Sequence, residues 1–553
     1  MTPRLDTMLL ILDTQRVDRL SCYGYKQPTS RCLDEFATDA TLFQHAYAPA
    51  QWTIPSHTSM FTGLYPGQHQ MLHAYSRLPK SIPTIADLLA QSGYFTAAFC
   101  NNPLLGVANN GLQKRFQSFL NYSGLMTSRP NQEGREKGLF DRYRHYFKRL
   151  VAHTLVMMQD AFARSDLLFD LSLSPLMTPL WQTALSFKGN TARSLNHAAQ
   201  LLIERPNIAE DQPIFSFINL MGTHMPYHPP RDLIERFAPE VHANRAARRQ
   251  LRQFNTDVFG WLAPLAQDLE AESKSILDGM YNAEVANQDA LVGEFFQKLR
   301  DAGVLDRTLV IICADHGEHL GEKHLMGHSM SLYNTLVHVP LIIRDPSGDF
   351  PRGTTVDRVV STRRIFHTLL TAAGQGDEQE QKYTLANSAA SDPEQGTIFS
   401  VGITAQNLLN VMQRRRPDLI TTYHCDQPRS AVWSDRYKLI QVGGVGAELY
   451  DILDDPEEET NLHDILPEQV ETLQEKLRDF LRQTHLAEAS HLIEENDHLV
   501  EEEHVVEGND VVGGNGLVGV GPAPAQTETP DPQLHENNDP LVQRRLHDLG
   551  YVD

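Results

Sequence analysis

Through the first two-thirds of the chain, short apolar runs of strand length alternate with amphipathic stretches of helical length. Met8-Leu9-Leu10-Ile11-Leu12 is an unbroken apolar run, as expected of a strand buried on both faces, and it leads straight into Asp13. Ser81 and Pro83 open a helix that runs to Gln91, Gly93 stops it, and Phe95-Thr96-Ala97-Ala98-Phe99 is the strand that follows. Asn190 is placed to cap a helix through Arg205, after which Ile214-Phe215-Ser216-Phe217-Ile218-Asn219 is strand-like and delivers His224. A helix from about Ala283 to Asp301, a stop at Gly303 and a strand ending at Cys313 repeat the unit before Asp315. This alternation predicts an α/β fold with a mostly parallel sheet between helices. Ligands of such sheets bind beyond the carboxyl ends of the strands, the edge that Asp13, His224 and Asp315 would share.

From about residue 375 the pattern changes to polar residues and then to short alternating runs such as Ser430-Ala431-Val432-Trp433 and Tyr437-Lys438-Leu439-Ile440. These predict a small antiparallel sheet closed by a helix from Pro467 to about Thr484. The expected division is a catalytic α/β domain over 1–375 and a smaller C-terminal α+β subdomain over 376–486. An acidic, Gly- and Pro-rich disordered segment over 487–540 and a docking helix over 541–553 complete it. Within the first domain, residues 140–187 interleave Leu, Phe and Met with Arg and Asp. That is an amphipathic helical insertion able to cover a cleft or to rest peripherally on a membrane, and the cleft cover is the favoured reading.

Composition narrows the class. A length of 553 residues exceeds a single small core, and 41% apolar with 21% charged residues is the balance of a soluble globular protein. The formal charge of -22 disfavours nucleic acid as a partner, although part of it belongs to the stretch from His491 to Asp510, which has no Lys or Arg. Five cysteines without close spacing predict free thiols in a reducing compartment, and no signal-like or membrane-spanning run is evident, so the expected location is cytoplasmic.

The chemistry is carried by four separated segments. Asp13, Asp315 and His316 are ligand types for one divalent cation, with the Thr53 hydroxyl as the remaining protein ligand and as nucleophile on a sulfate or phosphate ester. Oxygen ligands suit Ca or Mg, whereas an imidazole and few carboxylates shift the balance toward Mn or Zn. Pro55 favours a turn in which Ser56 caps a helix beginning near His57, which would set Thr53 at an anion-favouring helix N-terminus. His224 and His328 are candidates to contact the ester oxygens or protonate the leaving group. His57 and His69 fit helix-capping or turn roles as well as substrate contact. His319, Lys323 and His324 fit a solvated loop, and Cys313 a buried strand position.

Taken in order, these segments resemble a sulfatase of the alkaline phosphatase superfamily over nearly the whole length. The resemblance rests on Leu12-Asp13-Thr14, Pro55-Ser56-His57-Thr58-Ser59-Met60-Phe61-Thr62-Gly63, Thr223-His224-Met225-Pro226-Tyr227, Asp315-His316-Gly317-Glu318 and Gly327-His328. The C-terminal part adds Ser434-Asp435-Arg436-Tyr437-Lys438. It implies an alkaline-phosphatase-like fold, one bound divalent cation and a small-molecule, glycan or lipid ester as substrate.

Two departures bear on mechanism. Active sulfatases of the family carry a Cys or Ser that becomes formylglycine, with a supporting arginine; Thr53 cannot form that aldehyde, and His57 stands at the arginine position. The family also tends to place two aspartates after the first strand, whereas Thr14 follows Asp13, which leaves one ligand fewer. The reduced set resembles the site of phosphoethanolamine and phosphoglycerol transferases in the same superfamily. The expectation is therefore a sulfatase-family ester hydrolase, with two alternatives: a phosphoryl hydrolase or transferase working through phospho-Thr53, and an inactive sulfatase-like binding protein.

Overall fold

The first strand, β1 (Asp6–Leu12), is buried along its whole length because it has packed layers on both faces. Met8, Leu10 and Leu12 point into one core with Leu195, Leu202, Met280 and Phe295, whereas Leu9 and Ile11 point into another with Ile54, Phe61, Leu89 and Leu369. A strand whose side chains alternate between two apolar cores has no polar face, hence the unbroken run.

The computed structural model describes residues 4–123 and 188–484, apart from 74–75, 107–109, 257–262, 329, 405–407, 410–411 and 414–415. The expected insertion at 140–187, the acidic segment at 487–540 and the docking helix at 541–553 lie outside the described residues.

Around β1 stand β2 (Thr41–Tyr47), β3 (Phe95–Cys100), β4 (Ser118–Asn121), β5 (Ile214–Leu220) and β6 (Thr308–Cys313). A short ribbon follows, β7 (His319–Leu320) and β8 (Met326–Gly327), then β9 (His338–Arg344) and β10 (Thr354–Ser361). Eight of these form one sheet in the order β10-β2-β9-β6-β1-β5-β3-β4. β9 runs antiparallel to both its neighbours, and the other pairs are parallel. Helices Thr191–Glu204 and Ala271–Asp301 cover one face; Thr53–Thr62, Ile85–Gln91 and Ile365–Ala372 cover the other.

The element boundaries differ from expectation in three places. The long helix starts at Ala271 rather than near Ala283, because its first turns carry charged residues, among them the Lys274–Asp278 pair at 2.7 Å, that mask the apolar period. The next starts at Ile85, capped by Thr84, whose backbone N–H donates to Asp87 Oδ2 at 2.8 Å in a capping box; Ser81 plays no part. The third begins at Thr53 with Trp52 before it, so Ser56 lies inside the helix instead of capping it. Asn190 caps as expected, accepting from the Arg193 N–H at 2.9 Å.

A second sheet, β11 (Ile398–Gly402), β12 (Arg429–Ser434), β13 (Tyr437–Val442) and β14 (Gly446–Asp451), is antiparallel throughout. Its Val432, Leu439 and Leu449 pack on Val470, Leu473 and Leu477 of the helix Pro467–Gln483. Its Trp433, Ile440 and Tyr450 pack against Tyr47, Leu336 and Val337 of the main body. At this junction the Lys438 ammonium, fully buried, meets Glu458 Oε1 at 2.6 Å and Asn334 Oδ1 at 3.0 Å. Asn334 opens a short helix whose Leu336 carbonyl accepts the Gly317 N–H at 2.7 Å, so the second sheet braces the loop that follows β6.

Candidate active site

Four adjacent strand ends supply the site. β1, β5, β3 and β6 finish at one edge of the sheet and are followed by Asp13, His224, Asn102 and Asp315; Asn219 is the penultimate residue of β5. Asp13 continues the ladder by donating its N–H to Leu220 O at 2.8 Å, and Thr14 turns the chain away with φ 58°. After β6 the chain passes Gly317, where an added Cβ would stand 2.1 Å from the Thr335 carbonyl; only glycine allows this loop to lie so close to its support.

These ends bring Asp13, Asp315 and His316 together, with three donor atoms within 4.8 Å of one another. His316 Nε2 lies 3.3 Å from Asp315 Oδ2 and 3.4 Å from Thr53 Oγ1. Ligands about 2.0–2.2 Å from a shared ion stand roughly 3 Å apart, so the spacing is that of neighbouring ligands. Two oxygens, Asp13 Oδ1 and Asp315 Oδ2, are buried without a hydrogen-bond donor, which is costly for a carboxylate unless an ion faces it. The His316 Nδ1–H donates to Gly317 O at 3.0 Å, which leaves the Nε2 lone pair for a metal. By donor type and geometry, these residues fit a divalent cation.

The other carboxylate oxygens are held by the protein. Asp13 Oδ2 accepts from Asn102 Nδ2 at 2.6 Å and from Asn219 Nδ2 at 3.2 Å. Asp315 Oδ1 accepts from the N–H groups of His316 at 2.9 Å and Thr14 at 3.3 Å. Thr53 stands at the first position of its helix, 1% exposed, with Asn102 Nδ2 3.4 Å from its hydroxyl. Ser56 Oγ donates to Asp315 O at 2.7 Å and so fastens the Thr53 helix to the ligand loop.

Burial dominates the electrostatics of the site. Burial, reinforced by Asp315, raises the Asp13 carboxyl to about 7; burial also raises Asp315 and Glu318 to about 7. Burial lowers His57 and His224 to about 3 and His316 and His328 to about 4, so all four imidazoles are neutral near pH 7.

Every proposed site residue lies in this cluster, but several neighbours take other places than expected. His57 is neither cap nor turn residue: it lies inside the Thr53–Thr62 helix, fully buried, donating from Nδ1 to Thr53 O at 2.9 Å, with Nδ1 3.3 Å from Asp315 Oδ2. His69 does serve a turn, accepting the Met71 N–H at 3.0 Å, and its Nε2 meets Ser59 Oγ at 3.0 Å. His319 is not solvated; it is 1% exposed and bonded to Ser331 Oγ at 2.6 Å and Thr335 Oγ1 at 3.0 Å, because the β7–β8 ribbon folds it inward. Cys313 is buried in β6, and all five cysteines are free.

Asn102, Asn219 and Glu318 were not anticipated as site residues. Asn102 had a usable signal, since it follows the strand predicted at Phe95–Phe99 at the same edge. Glu318 stands in the Asp-His-Gly-Glu segment. It is fully buried, and its Oε1 lies 2.8 Å from His328 Nδ1, whose ring centre is 5.1 Å from that of His224 and 4.7 Å from that of His316.

The family model described as Sulfatase matches residues 6–375. The chain is 24% identical over 504 residues to arylsulfatase K of Bos taurus, covering 87% of this chain and 82% of that protein. Among solved structures it is similar in fold to the phosphonate monoester hydrolase of Agrobacterium radiobacter, with TM-score 0.59 and 21% identity over 87% of this chain and 96% of that one. It is also similar in fold to a protein solved with its substrate D-glucosamine-2-N,6-O-disulfate, with TM-score 0.56 and 16% identity over 87% and 98% of the two chains.

Proposed function

The chain belongs to the sulfatase family, and from that premise we propose that it is a metal-dependent hydrolase of sulfate esters in which Thr53 takes the place of formylglycine. The observation that carries this reading is the Thr53 hydroxyl at ligand spacing from His316, beside two buried carboxylate oxygens that have no donor. Asp13, Thr53, Asp315 and His316 would hold the cation; when bound, it supplies Lewis acidity that acidifies a ligated hydroxyl and offsets the charge of the ester.

The protein's own groups do the rest. The N-terminus of the Thr53–Thr62 helix places backbone N–H groups and the positive dipole end beside the attacking oxygen, which favours an anionic group there. Asn102 and Asn219 hold Asp13, and Ser56 holds the Asp315 loop, so the nucleophile and the ligand set keep one geometry. The His328 ring adjoins those of His316 and His224, and His224 and His328 would meet the ester's remaining oxygens.

A threonine ester, unlike a formylglycine hydrate, has no second hydroxyl to expel its group, so water must release it by a second displacement. That requirement favours a second reading on the same residues, a phosphoryl-ester hydrolase or transferase passing through phospho-Thr53. Substrates of either reading are small-molecule, glycan or lipid esters; one structural neighbour was solved with its substrate D-glucosamine-2-N,6-O-disulfate, a small sulfated sugar.

The test is hydrolysis of an aryl sulfate, a phosphate monoester and a phosphate diester by the wild-type protein and Thr53→Ala, each loaded with Mn, Zn, Mg or Ca. Sulfate turnover that Thr53→Ala loses supports the first reading, and trapped phospho-Thr53 the second. Equal turnover by both proteins rejects the role of Thr53, and metal binding with no turnover of any ester would leave a binding protein.

A further inference from the structure

The helix Arg245–Thr256 carries Arg245, Arg248, Arg249 and Arg252 and no Asp or Glu. Their spacing puts all four on one stripe, since positions i, i+3, i+4 and i+7 share a helix face. Leu251 and Phe254 pack against the core and Ala247 and Asn255 are buried, whereas the four arginines are exposed. The helix Pro467–Gln483, by contrast, mixes Glu468, Glu471, Glu475 and Asp479 with Lys476, Arg478 and Arg482, as a solvated face usually does.

Nothing among the described residues neutralises this stripe. On other helices Arg231 pairs with Glu235 at 2.9 Å and Lys274 with Asp278 at 2.7 Å, but none of the four arginines pairs with a carboxylate among the described residues. Arg248 Nε reaches the Asn244 carbonyl, at 3.5 Å. Arg245 with Arg249, and Arg248 with Arg252, are like charges four positions apart, which destabilises a helix unless an anion faces them. The chain itself carries such an anion. Between His491 and Asp510 stand Glu494, Glu495, Asp497, Glu501, Glu502, Glu503, Glu507 and Asp510 with no Lys or Arg. Asp510 is 26 positions beyond Thr484, the last described residue, a stretch that extends to at most about 85 Å against a radius of gyration of about 22–23 Å for a body of this size. Covalent attachment makes the encounter intramolecular, whereas a separate polyanion must approach against a net charge of -22.

We propose that the acidic segment between His491 and Asp510 docks on the arginine stripe of the helix Arg245–Thr256 in the same chain. Each exposed charge pair is weak, so the contact depends on several pairs acting together and is screened by salt. The last turn of the helix is fixed to the chain just past His224, because Asn255 Oδ1 accepts the Tyr227 N–H at 3.1 Å and its Nδ2 donates to Tyr227 O at 2.9 Å. Docking therefore sets negative charge beside the loop that carries His224, where it opposes the approach of an anionic ester.

The experiment uses the full chain with Arg248→Lys and Arg252→Lys, exposed changes that keep the charge of the stripe and add amines that a carbodiimide can couple directly to a carboxylate. Isotope-labelled and unlabelled chains are mixed before coupling, so that mass spectrometry tells links within one chain from links between copies. The expected result is links from positions 248 and 252 to carboxylates of 491–510 in the same chain. They should be present at about 0.01 M salt and lost at about 1 M, over which the screening length falls from about 30 Å to about 3 Å. Links only between copies would place the segment on a second chain, and links only to other carboxylates, or none at all, would leave the stripe without it; each of these overturns the proposal. Links that persist unchanged at high salt overturn its electrostatic basis.

Discussion

Asn102 Nδ2 donates to Asp13 Oδ2 across 2.6 Å, joining the end of β3 to the end of β1 at the point where the cation would sit. The amide is itself held, because its Oδ1 accepts the Leu104 N–H at 2.8 Å, so its donor face is turned to the carboxylate. Charge-assisted hydrogen bonds of this kind aim a ligand oxygen and limit which of its lone pairs remain for an ion.

Asn102→Ala should therefore weaken metal binding by about 10–100-fold, the usual effect of losing a group that orients a ligand, while leaving the fold intact. Metal titration of the wild type and the variant checks this. An unchanged affinity would show that Asp13 needs no such support.

Removing the cation should expose the cost of the buried carboxylates. Asp13 Oδ1 and Asp315 Oδ2 have no protein donor, so chelation is expected to lower the melting temperature. With metal at 100 to 1,000 times its dissociation constant, the stabilisation lost is about 3–4 kcal/mol. Calorimetry with and without chelator measures it, and coincident melting curves would mean that no ion is held there.

Stability should also fall on mild acidification. Outside the ligand set, burial lowers His69 and His319 to about 3 and His338 to about 4. The unfolded chain takes up these protons from about pH 6.5 downward, and the folded chain only near pH 3–4. The folded state thus has its full advantage above pH 6.5 and loses about 1.4 kcal/mol per pH unit for each such histidine as pH falls toward 4. Denaturant unfolding at pH 7.5, 6 and 5 tests the sign; a midpoint that rises with acidification contradicts it.

At the junction with the second sheet, Lys438→Ala strands Glu458, 1% exposed, without its cation and should cost about 3–5 kcal/mol. The double substitution Lys438→Met, Glu458→Leu should recover much of that loss, because two apolar side chains leave no charge buried. Since Asn334 links this pair to the loop carrying Gly317, Lys438→Ala should also weaken metal binding. Equal stability of the single and double variants would refute the account.

Much of this was written in the chain itself. Local rules suffice for β1, β3, β5 and β6, whose apolar runs and following polar residues follow from burial on both faces, and for Asn190 as a helix cap. The same rules place Asp13, His224 and Asp315 at one edge, because parallel strands joined by helices end on the same side. Tertiary structure alone decided the rest. It turned Ser56 from a presumed cap into the tie to Asp315, folded His319 inward, and aimed Asn102 and Asn219 at Asp13. It also set Glu318 against His328. Each of these depends on which strand lies beside which and on where a loop is braced from a distant sheet. Contacts between residues up to about 300 positions apart leave no periodicity for a sequence to display.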